Sequence, residues 1–170
     1  MNQCKTGKIQ NEDRKYEIIC TKIIKYLFET EFFQMSTQHK TGDNIFRMDM
    51  ICSLKGTTEF WKFLMQFFNT KFVIFEYKNY SEELSQNLIV ITSKYLIPDE
   101  LRSVAFIVSR YGLNKNAERI AISQIKDEKK LIVSLTDEDL LVMVALKEKG
   151  KEPSDYLLEK VENLLMSLSI

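Results

Sequence analysis

Lys71-Phe-Val-Ile-Phe-Glu76-Tyr-Lys78-Asn-Tyr80 is the stretch on which the reading of this 170-residue chain turns. Phe72 to Phe75 make an apolar run of the kind a strand buried on both faces requires, and the run ends abruptly in charge. Side chains alternate across a strand with a period of two, so Glu76 and Lys78 fall on one face and point at one place.

On the upstream side, Asp13 to Phe28 carries Tyr16, Ile19, Cys20, Ile23, Ile24 and Leu27 at spacings of three and four, which predicts a helix with one buried stripe and Glu17 on its flank. Phe32–Ser36 and Ile45–Leu54 favour strands around Thr41-Gly42-Asp43-Asn44, a turn signal, so an antiparallel hairpin is expected. Thr57–Phe68 reads as an aromatic helix with Phe60, Trp61, Leu64, Phe67 and Phe68 turned inward. Downstream, Leu84, Leu88, Ile91 and Tyr95 predict a helix capped by Ser81 and closed by Pro98. A strand at Val104–Val108, a helix near Asn114–Ile125 and a strand at Leu131–Leu135 make a parallel βαβ unit with a right-handed crossover. Thr136 and Asp139 form a capping-box pattern for a helix to about Lys149, and Pro153 opens a last helix striped with Leu157, Leu158, Val161, Leu164, Leu165 and Leu168.

This length predicts one domain, residues 13–170, behind a flexible N-terminal lead at residues 1–12. Apolar residues make up 45% of the chain and charged residues 28%, with five Gly and two Pro, which excludes collagen-like and largely disordered classes. The 24 basic and 24 acidic residues cancel, so nucleic-acid binding would need a local patch rather than a global field. No uncharged run approaches a membrane span, and Met1–Arg14 lacks an apolar leader core, so no membrane contact and a cytoplasmic location are expected for a chain read as complete from Met1. The three cysteines at 4, 20 and 52 have neither disulfide-framework nor zinc spacing and read as free thiols.

A single histidine, His39, beside the turn signal, reads as a surface residue, and Cys20 and Cys52 read as core. Scattered glycines leave no phosphate-cradling loop. Carboxylates remain. Asp49 sits among apolar neighbours in the strand before Glu76, where an unpaired carboxylate is costly. If the two strands are neighbours, Asp49 and Glu76 can share Mg²⁺ or Mn²⁺, and Lys78 can steady a water or the charge developing on phosphorus. An acid two residues before a lysine starts at Asp13, Glu76, Asp127 and Glu128, and only the Glu76 copy ends a buried strand.

Phe-Arg-Met-Asp49-Met-Ile followed by Val73-Ile-Phe-Glu-Tyr-Lys-Asn-Tyr80 resembles the PD-(D/E)xK nuclease superfamily, the restriction-endonuclease-like fold. Glu17 is similar to the helix-borne glutamate often found there. Ser93-Lys-Tyr-Leu96, Ile107-Val-Ser-Arg-Tyr-Gly112 and the tail from Lys130 to Leu168 resemble bacterial restriction-like domains, often attached to ATPases or defence proteins. The resemblance covers residues 13 to 168. It implies an α/β fold with a mixed sheet of four to five strands flanked by helices, and a metal-dependent endonuclease acting on double-stranded DNA. It also implies Asp49 and Glu76 as metal ligands, Lys78 as catalytic, and Glu17 as a supporting catalytic carboxylate. Where relatives often carry a glutamine four residues before the helix tyrosine, Ile91 stands before Tyr95, and Gln86 lies a turn earlier as the candidate substitute.

Lys94, Arg110 and Lys115 are candidate phosphate contacts. The zero net charge points to a homodimer or to an ATPase or defence partner. A non-catalytic binding or assembly module that keeps the fold is the alternative reading.

Overall fold

The computed structural model describes residues 4–7, 11–40 and 47–169. Five strands form one mixed sheet in the order β1-β2-β3-β4-β5: β1 is Phe32–Lys40, β2 Arg47–Leu54, β3 Phe72–Lys78, β4 Val104–Ser109 and β5 Leu131–Thr136. Around it pack α1 (Glu12–Phe28), α2 (Glu59–Phe67), α3 (Gln86–Ser93), α4 (Lys115–Glu128), α5 (Asp137–Glu148) and α6 (Ser154–Met166). The fold is therefore the expected α/β mixed sheet flanked by helices. Among the described residues no helix is long and apolar enough to cross a membrane.

β1 pairs with β2 and β2 with β3 antiparallel, whereas β3–β4 and β4–β5 are parallel. The turn expected at Thr41–Asn44 lies outside the described residues. The apolar runs of the parallel strands follow from burial on both faces. Val73, Phe75 and Tyr77 line up with Val104, Phe106 and Val108 and with Leu131, Val133 and Leu135, in a core shared with α1, α2, α5 and α6. The alternate residues Ile74, Ala105, Ile107 and Ile132 face α3 and α4. Glu76 and Lys78 continue the Ile74 face, so the period that builds the second core also places the charged pair.

Trp61 fills the larger core. Its ring meets Phe28 and Phe32 edge-on at 5.3 Å, Phe60 at 5.0 Å and Phe106 at 5.9 Å. Phe67 departs from the stripe read in the sequence: it is 72% exposed and packs on Phe63 at 4.9 Å. α2 spans nine residues, and Phe67 ends it on the solvent side.

The expected cap at Ser81 is also corrected. Leu84 bridges to Leu113, which holds the chain extended, and α3 starts after Ser85. At α5 the capping box forms as read: Thr136 Oγ1 accepts from the Asp139 N–H at 3.2 Å, and the Thr136 N–H donates to Asp139 Oδ2 at 2.6 Å. Asn114 caps α4 by accepting from the Ala117 N–H at 2.9 Å.

Urea unfolding should rank two variants by these environments. Trp61→Ala removes a fully buried ring and should cost about 3–5 kcal/mol, whereas Thr136→Ala, which removes only the cap, should cost about 1 kcal/mol.

Candidate active site

The β2–β3 ladder runs from Ser53 opposite Phe72 to Met50 opposite Phe75. One further step in that register places Asp49 opposite Glu76. There the Asp49 carboxylate takes over as acceptor, with Oδ2 receiving the Tyr77 N–H at 2.9 Å. Lys78 reaches back along its own face: Nζ donates to Glu76 Oε2 at 2.8 Å and lies 3.8 Å from Asp49 Oδ2. One ammonium thus bridges two carboxylates carried by neighbouring strands.

The Glu76 side chain is 4% exposed, and its Oε1 is buried without a hydrogen-bond partner. Burial pushes the Glu76 carboxyl up to about 7, with the Asp49 charge adding to the rise and Lys78 and the Asp49 backbone N–H opposing it. For Lys78, burial works against the charge, but Glu76 and Asp49 outweigh it and hold the ammonium pKa above its ordinary value. Burial and then the Glu76 and Asp49 charges raise the Tyr95 phenol, with Lys78 opposing, which places Tyr95 within the field of this cluster.

Glu17 comes to the same end of the sheet from α1. Its carboxyl is raised by burial and then by the Asp49 charge, and its Oε1 accepts from the Gln38 side-chain amide. Gln38 is the residue that sequence reasoning missed. It lies in β1 between Thr37 opposite Met50 and His39 opposite Met48, hence across from Asp49, and its φ is +54°. A non-glycine residue in the left-handed region within a strand costs about 1 kcal/mol or more, and the Glu17 contact is what that conformation permits. A glutamine in a polar stretch carries no sequence signal for this.

Asp49, Glu17, Gln38 and Lys78 all line one cleft of about 860 Å³ between α1 and the β1–β2 hairpin. Exposed Gln86 starts α3, exposed Lys94 ends it and exposed Lys115 starts α4; none of the three lines this cleft.

Arg110 is not an open phosphate contact. Its side chain is 8% exposed, paired with Asp137 at 2.6 Å, donating to Asn79 Oδ1 at 3.0 Å and to the Cys4 carbonyl at 2.9 Å, and stacked over the Tyr16 ring. Through it the lead expected to be flexible is tied down over Cys4–Gly7. The Asn79 amide donates to the Lys5 carbonyl at 2.8 Å, and the Gly7 N–H donates to the Asn79 carbonyl at 2.9 Å. The lead is thereby fastened to the residue that follows Lys78.

Among the described residues no three His, Cys, Asp or Glu side chains form a ready metal cluster. A divalent cation here would rest on Asp49 and Glu76 and keep water on its other positions, as Mg²⁺ commonly does. The unpartnered Glu76 Oε1 fits such an ion, because a buried carboxylate oxygen without a donor is otherwise uncompensated. No family model, curated protein or solved structure matches the chain.

A carboxyl raised on folding favours the fold while protonated. Its contribution is complete below the ordinary glutamate range and is lost as pH rises through about 7. Metal-free protein should therefore lose thermal stability between pH 5 and pH 8, by about 1–3 kcal/mol from this group. Glu76→Gln should flatten that slope in thermal melts, and a wild-type slope retained in the variant would show that Glu76 is not its source.

Proposed function

We propose that this chain is a Mg²⁺- or Mn²⁺-dependent endonuclease of PD-(D/E)xK type that hydrolyses DNA phosphodiester bonds, a cytoplasmic effector in bacterial defence or DNA processing. The carrying observation is the Glu76–Lys78–Asp49 arrangement, in which a buried carboxylate with an unpartnered oxygen shares one lysine with an aspartate on the next strand. Asp49 and Glu76 are the ligands. Bound there, the cation supplies a lowered pKa for water and neutralisation of charge on a phosphodiester oxygen.

The remaining work belongs to the chain. Lys78 presents a positive charge at the cleft, where it can orient water by hydrogen bonding and stabilise the extra charge that accumulates on phosphorus. The Tyr77 N–H holds Asp49 in place, which fixes one carboxylate on the backbone of the strand that carries the other. Glu17, with its pKa raised and held by Gln38, supplies a further carboxylate at the margin. A binding or assembly module is the second reading, favoured by Val90 and Ile91 on α3, each 46% exposed.

Supercoiled plasmid incubated with purified protein and Mn²⁺, Mg²⁺ or EDTA tests the proposal. Nicking should require the metal and fall by about 10²-fold or more in Glu76→Ala and in Lys78→Ala. Folded protein that nicks in no lane, or nicks equally well in both variants, would overturn it and favour the module.

A further inference from the structure

Resting on the nuclease reading, we infer that the cleft-facing flank of α1, with Arg47 on the opposite side, is a track for the phosphodiester backbone of nucleic acid. Arg14, Lys22 and Lys25 line the cleft from α1 together with exposed Ile18, and Arg47 lines it from the start of β2. Steps of four, four and three residues keep positions 14, 18, 22 and 25 on one side of a helix. At the helical rise they span about 16 Å, roughly five nucleotides along one strand of a duplex.

All four cations are exposed, and among the described residues none of them is engaged in an ion pair. Asp13 is the opposing carboxylate on this flank, whereas Glu17 and Asp49 belong to the site itself. The track ends at Asp49 and Lys78, so a backbone lying along α1 would pass these two residues, and Glu76, which does not line the cleft, is reached through its contact with Lys78. This gives a chain of zero net charge a local positive surface where the chemistry would be, and it moves the phosphate contacts from Lys94, Arg110 and Lys115 to α1 and β2.

Salt dependence of binding is the test, because each phosphate contact adds about one unit to the slope of log K against log salt. Fluorescence anisotropy with a labelled 20-base-pair DNA duplex, a single-stranded DNA and an RNA of the same sequence, at 50–200 mM NaCl in EDTA, gives that slope without cleavage. The triple variant Arg14→Gln, Lys22→Gln, Lys25→Gln should reduce it by about 3 on the preferred substrate and weaken binding at 100 mM NaCl by about 10-fold or more. A control with the same charge change, Lys126→Gln, Lys149→Gln, Lys151→Gln, lies outside the cleft and should keep the wild-type slope; circular dichroism confirms that each variant folds.

The inference falls if the α1 variant keeps the wild-type slope, if the control loses as much, or if Lys94→Gln, Lys115→Gln carries the loss instead. Plasmid nicking that survives such a result would leave the nuclease reading standing. Loss of slope in the α1 variant of a protein that never nicks would keep the track and remove the nuclease.

Discussion

A carboxylate held out of water in a central strand is the constraint around which this molecule is arranged. Glu76 lies in β3, flanked by β2 and β4, and its burial disfavours the charged form unless a partner compensates. Lys78 supplies that compensation from the same face, two residues on, at 2.8 Å. Comparison with the other buried carboxylates shows what is unusual. Glu31 accepts from the Thr57 N–H and hydroxyl and from the Thr58 N–H, and so ties the start of β1 to α2. Asp139 accepts from Tyr156, Lys160 and Thr136, and so ties α5 to α6. Those two are satisfied structural groups, whereas Glu76 keeps an oxygen with no donor, which is why the chemistry is assigned to it.

The scaffold around the pair is braced from several directions. Asp49 is fixed by the backbone of β3, Glu17 by a strained Gln38, and the exit of β3 by Asn79. Arg110 joins Asn79 to the N-terminal lead and to the first residue of α5, so side chains from distant parts of the sequence meet next to Lys78. A site held this way sits on packed elements rather than on a loose loop, and such support is what orients catalytic groups.

Much of this was legible in the sequence, for local reasons. The parallel strands announce themselves as apolar runs, and a period of two puts Glu76 and Lys78 on one face whatever their neighbours are. The capping box at Thr136 and the stripe of α6 are equally local. What escaped depends on distance or backbone state. Arg110 follows a strand and resembles a solvated loop charge, yet its partners lie at residues 4, 79 and 137. Gln38 matters through a positive φ that its residue type does not announce. Ser81 fits a cap by local pattern, but the Leu84–Leu113 bridge keeps the chain extended and α3 starts only after Ser85, whose side chain makes no capping hydrogen bond. The cations at 14, 22 and 25 share a cleft with Arg47 only because the fold sets the start of β2 beside α1, which no local pattern announces.

Calorimetric titration of Mn²⁺ into metal-free protein tests the central claim most directly, because it asks of Glu76 and Asp49 what the unpartnered oxygen implies and does not depend on finding the right substrate. Binding at one site in the wild type, abolished by Glu76→Gln and by Asp49→Asn in proteins that still fold, is the expected result. Absence of binding, or an affinity unchanged in both variants, would contradict the account.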